Sequence, residues 1–210
     1  MKRSREINSL ISIGIVGLII LFGAPLSLDL FSVISLTTAI SLAILALSLG
    51  LIWGFGGILC FGQTAFFGIG GYAYAIAALN FGGSTGAIIA AVLVAAAAAA
   101  ILGYFMFYGR LSDVYLAVIT LTVTLILYSV IRRTSGPEYK IGIAKLGGFN
   151  GINVPPINYP WDATQFLYPE HVFYVAMVAL LLAYFLCVWL IKSHFGRVCV
   201  SIRENEVRTE

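Results

Sequence analysis

Apolar runs follow one another along the chain, separated by short polar or glycine-rich breaks. A helix that crosses a bilayer needs about 20 mostly apolar residues. Runs of that size fall at residues 7–24, 30–53, 58–79, 86–108, 114–131 and 172–191. Between Asp29 and Arg110 no Asp, Glu, Lys or Arg occurs, an interval that holds three crossings when folded back at its breaks. No water-soluble core absorbs such a stretch. The pattern therefore predicts an all-α, polytopic transmembrane helical bundle of about six spans. The first run follows Lys2, Arg3 and Arg5 and precedes no small-x-small cleavage site, so it reads as a membrane anchor.

Composition agrees, since 60% of the 210 residues are hydrophobic and 10% charged, against about 25% charged in soluble domains. The net charge of +3 does not suggest nucleic acid, because the basic residues lie between apolar runs instead of forming one patch. They sort by side of the membrane. With the N-terminus inside, the inner set is Lys2, Arg3, Arg5, Arg110, Lys192, Arg197, Arg203 and Arg208, and the outer set Arg132, Arg133, Lys140 and Lys145. Basic residues accumulate on cytoplasmic segments, so both ends are expected inside, with Trp53 and Trp189 at the inner interface. The one long external connection, 132–169, contains Pro137, Pro155, Pro156, Pro160 and Pro169 and a Gly147-Gly148 pair, which forbid a continuous helix. It either binds something or closes over a site, or it is a solvated spacer with Tyr159, Trp161 and Tyr168 on the headgroups.

Enzyme signatures are missing. There is no HExxH, no GxSxG and no Gly-Lys pair to build a Walker A loop, so the chain is not expected to be an enzyme or to hydrolyse ATP itself. Cys60, Cys187 and Cys199 have no zinc or disulfide spacing, and His171 and His194 flank the last run on opposite sides; no metal site is expected. No ionisable group stands at membrane depth, which argues against a proton-coupled carrier and for passage of a small solute, zwitterion or neutral amide, along uncharged groups.

Two features carry candidate chemistry. Residues 54–72 hold glycines throughout, with Gly62, Gln63 and Thr64 at membrane depth and Tyr72 at the end. They read either as an interrupted helix lining a solute path or as close glycine packing with Gln63 bonded to a neighbouring helix. In the fifth run, Thr120, Thr124 and Tyr128 recur every fourth residue and share a face. They either offer hydroxyls to a path or bond their own preceding turn. The polar tail 192–210, by composition, is a solvated juxtamembrane helix with Val198 and Ile202 on one face.

Four ordered stretches resemble one family, the inner-membrane permeases of ATP-binding-cassette importers for branched-chain amino acids, with relatives for urea and short amides. Residues 51–72 track the phrase L-x-x-G-x-x-G-x-x-S-x-G-x-x-A-F-x-G-I-G-A-Y, with Cys60 at the usual serine. Residues 114–121 are similar to V-Y-F-A-I-x-T-L, with Asp113 where a glycine usually precedes. Residues 146–152 resemble T-G-G-x-N/D-G-L and include Asn150, and residues 193–206 resemble S-x-F-G-R-x-L-x-A-I-R-E-D-E. The resemblance implies that the last phrase is a cytoplasmic coupling helix docking on an ATPase through Phe195, Gly196, Arg197, Ile202, Arg203, Glu204 and Glu206. It implies a permease domain over 1–191, a coupling segment over 192–210, and further family spans beyond this chain. It also implies a second permease subunit, two ATPase subunits that bind ATP, an external solute-binding protein, and a bacterial inner membrane as location. Candidate path residues are then Gly62, Gln63, Thr64, Tyr72, Thr120, Thr124, Tyr128 and Asn150. Urea or short-amide transport within the family is the nearest alternative. A channel or secondary carrier needing no ATPase, or a membrane scaffold, leaves the coupling-like tail unexplained.

Overall fold

The computed structural model describes residues 2–109, 112–160 and 162–204. Among them are seven α-helices: α1 (Lys2–Ser27), α2 (Leu30–Gly56), α3 (Gln63–Phe81), α4 (Ser84–Tyr108), α5 (Asp113–Arg133), α6 (Pro169–Lys192) and α7 (His194–Glu204). The helices α2 to α6, five in all, are long and apolar enough to cross a membrane, and the described apolar part of α1, Ser12–Ser27, is shorter. Their outward faces carry Phe31, Phe81, Phe105 and Leu182, all exposed. That is the arrangement expected where lipid, not water, surrounds the helices. The protein is an all-α helical membrane protein, as the apolar pattern predicted.

The described residues form two compact units. One comprises Met1–Ser48 and Tyr168–Glu210. Its core is Ala24 from α1, Val33 and Ile40 from α2, and Phe173 and Met177 from α6. Gly17 lets α1 approach α6, since a Cβ there would lie 2.8 Å from Leu181 Cδ2. Asp29 caps α2: it accepts the Ser32 hydroxyl at 2.7 Å and the Ser32 amide at 3.4 Å. These bonds, the hydroxyl first, hold its carboxyl below the ordinary value of 3.8. At the other end α7 follows α6 after a sharp corner at Ser193.

The second unit, Leu49–Leu167, is built on the α3–α4 hairpin. Small residues set its spacing, with Ala77, Ala78 and Ala87 buried together and Gly70 facing Ala95. Gly82 closes the hairpin in the left-handed region (φ +72°), donating its amide to Ala78 O. The third apolar run was expected to start at residue 58, but α3 starts at Gln63. Gly57 turns the chain out of α2 with φ +73°, which side chains oppose, and 57–62 follows without helix. The long connection holds two antiparallel ribbons, β1 (Lys140–Ile141) with β2 (Ala144–Lys145) and β3 (Asn158–Tyr159) with β4 (Asp162–Phe166). Both are tied to the α3–α4 turn. The Asn80 amide donates to Ile141 O at 3.0 Å and accepts from Ile143 N at 3.0 Å. Ser84 Oγ exchanges bonds with the Asn158 backbone at 3.1 and 2.9 Å.

Candidate functional site

The non-helical segment 57–62 presents backbone groups that a continuous helix would have satisfied internally. In an apolar setting such groups need partners, and at Phe61 α5 supplies them. Phe61 N donates to Thr120 Oγ1 at 3.1 Å, and Thr124 Oγ1 stands 3.3 Å from Phe61 O. The same hydroxyls reach their own helix: Thr120 Oγ1 lies 2.9 Å from Leu116 O, and Thr124 Oγ1 2.7 Å from Thr120 O. For Thr120 the backward bond to its own turn is present, one proton donated to the preceding turn while a lone pair accepts the Phe61 amide. Thr120 lies about 10 Å along α5 from its start, so α3 begins partway along its neighbour.

Above this clasp, α3, α5 and a turn of the long connection border a half-open cavity of ≈ 530 Å³. Thr64, Gly68 and Tyr72 line it from α3, Thr124, Tyr128 and Arg132 from α5, and Phe149 and Asn150 from the turn. Five of the eight sequence-predicted path residues, Thr64, Tyr72, Thr124, Tyr128 and Asn150, thus share one cavity. Gly62 and Gln63 lie at the entrance to α3, and Thr120 is buried in the clasp; none of the three is in the cavity wall.

The turn is made by glycine. Gly147, Gly148 and Gly151 have φ of +76°, +54° and +75°. A Cβ on Gly147 would run into Gly151 O, and one on Gly148 into Ser135. Ser135 Oγ also accepts the Phe149 amide at 3.3 Å, while Tyr72 Oη donates to Leu146 O at 3.5 Å. The Arg132 guanidinium sits over the Phe149 ring, 5.0 Å from its centroid.

Arg132 and Phe149 were not among the predicted path residues. Arg132 counted only toward orientation, yet it continues the four-residue spacing of Thr120, Thr124 and Tyr128 by one step. That spacing was the signal.

The coupling residues belong to the other unit. Phe195 is exposed on α7 and Arg203 closes that helix. Gly196 serves its own chain, because a Cβ there would collide with Ile191 O and come within 2.5 Å of Leu190 O. Arg197 Nη1 donates to Lys192 O at 3.2 Å, and Ser193 Oγ to Leu190 O at 2.6 Å. Ile202 and Glu204 lie in α7 with their side chains outside the described set. Glu206 lies outside the described residues, as do Arg110, Trp161 and Arg208.

A family profile described as the permease component of the branched-chain amino acid transport system matches residues 31–210. The chain belongs to this family. The match takes in the helix break, the hydroxyl stripe, the glycine turn and α7 in one alignment. Neither a curated protein nor a solved structure matches the chain. As a member of the branched-chain amino acid permease family with several membrane-spanning helices, it is a multi-pass membrane protein of a transport system. In this permease the cavity wall combines hydroxyls, an amide and apolar side chains, with Arg132 as its one cationic residue among the described residues.

Proposed function

We propose that the protein is the permease subunit of an ATP-driven importer, moving branched-chain amino acids across a bacterial inner membrane with both chain ends in the cytoplasm. The observation that carries this reading is the 530 Å³ cavity at the helix break, of a size usual for small-molecule sites. Its apolar members Ile69, Leu125 and Ile131 suit a branched side chain, and its hydroxyls suit polar ends.

Energy comes from a separate ATPase. The α7 helix, with Phe195 and Val198 exposed beside Arg203, docks on one of two ATPase subunits, which bind the ATP. The bonds of Ser193 and Arg197 brace the α6–α7 corner, and the lack of a Cβ at Gly196 lets it close tightly. A push on α7 is thereby passed to α6 as rigid-body motion. A second permease subunit completes the path, and an external binding protein delivers the solute.

The neutral wall around Thr64, Thr124 and Tyr128 equally favours a second solute, urea or a short amide. Copurification and uptake test the reading. An associated ATPase together with ATP-dependent leucine uptake by the assembled complex supports it. Solute flux through the chain alone, without ATPase, refutes it in favour of a channel or secondary carrier.

A further inference from the structure

Resting on the transport reading above, we propose that Arg132 is a selectivity residue: its guanidinium, seated on Phe149 at the loop end of the cavity, receives the carboxylate of the arriving amino acid. Four observations support it. Arg132 lines the cavity, and no Asp or Glu does so among the described residues. Its cation rests on an aromatic ring at 5.0 Å, a contact that steadies a guanidinium without neutralising it. The chain from 132 to 145 carries Arg132, Arg133, Lys140 and Lys145 against the single acid Glu138, so the stretch that begins at the cavity's arginine is net cationic and draws anionic groups. Finally, the turn holding Phe149 is fixed by glycine backbone geometry and by Ser135, so the ring is a built platform.

The chemistry follows from guanidinium geometry. A planar guanidinium stacked on a ring keeps N–H donors at its edges, and these match the two oxygens of a carboxylate. Four residues back along α5, a rise of about 6 Å, Tyr128 lines the same cavity, and its hydroxyl oxygen accepts from the solute ammonium. Ile69, Leu125 and Ile131 face the remaining side chain. A neutral amide has no carboxylate to offer and gains little from Arg132. Thus one residue separates the two solute classes that the rest of the wall accepts alike.

The test uses the assembled importer in liposomes with saturating binding protein and ATP, comparing wild type, R132Q and R132K. L-leucine uptake and binding-protein-stimulated ATP hydrolysis are measured on the same vesicles. R132Q is expected to lower leucine uptake roughly ten- to hundredfold, the size of one charge-assisted bond, while stimulated hydrolysis stays at the wild-type level. R132K, which keeps the charge, is expected to recover most of the uptake. Wild-type leucine uptake by R132Q overturns the proposal, as does an equal loss in R132K or a parallel loss of stimulated hydrolysis. If the wild-type importer itself takes up no leucine, the transport reading fails first, and this inference with it.

Discussion

Replacing Thr120 by valine isolates the bond that closes the helix break. The two side chains have nearly the same shape, and Thr120 is 2% exposed, so packing around it is retained. What disappears is the acceptor for Phe61 N, now 3.1 Å away. The hydroxyl's backward bonds to Leu116 O and Ala117 O matter less, because carbonyls within α5 keep their helical partners. A donor left without an acceptor in a dry setting costs about 1–3 kcal/mol. That translates into roughly 2–4 °C of melting temperature per kcal/mol for a chain of this size. Hydrogen exchange resolved over 57–62 gives the sharper assay: opening there becomes easier by on the order of ten- to hundredfold. T120S is the control, since it keeps the acceptor and loses only a methyl group. Unchanged exchange over 57–62 in T120V, or equal acceleration in T120S, refutes the clasp.

Further expectations concern the corner, a loop clamp and one cap. Gly196→Ala places a methyl against the carbonyls of Leu190 and Ile191; overpacking of this kind costs about 1–3 kcal/mol, so a melting temperature equal to wild type contradicts the tight corner. Asn80→Ala removes the bonds holding β1 and β2, and limited proteolysis should then nick 138–146 faster than in wild type; equal rates speak against the clamp. The Asp29 carboxyl is depressed by its Ser32 bonds, so the cap stabilises the folded state above the ordinary value of 3.8 and is lost as pH falls through the lower folded value. Carbon-13 titration of Asp29 should show a midpoint below 3.8, and one at or above that value rules out the ionised cap.

Hydropathy located the long helices because lipid-facing surfaces need no alternation, and runs of apolar residues mark them directly. It misplaced the start of α3 for the same reason. Ile58, Leu59, Cys60 and Phe61 are apolar and extend the run, while the event that ends the helix is a backbone rotation at Gly57. The threonine stripe was legible as a period on α5; its partner, Phe61 N, carries no sequence mark because any residue but proline has an amide. The cavity was legible in pieces: Thr64, Thr124, Tyr128 and Asn150 stood out by type or motif, yet nothing local tied them together. Arg132 was hidden by its ordinary place at a helix end. Two-residue strands such as β1 and β3 are too short for any alternation to show, so prolines announced a loop without revealing its ribbons.

Asn80 and Ser84 stand four residues apart across the Gly82-Gly83 turn, and each holds a different ribbon. The long connection is thus moored at two points to a single post, and the glycine turn between the moorings is pinned separately by Ser135. For anyone inserting an epitope or a labelling cysteine, this divides the surface. Residue 142 is closed, because any side chain there meets Asn80. Asn153 and Val154, exposed and outside either ribbon, offer a site where added chain leaves both moorings intact.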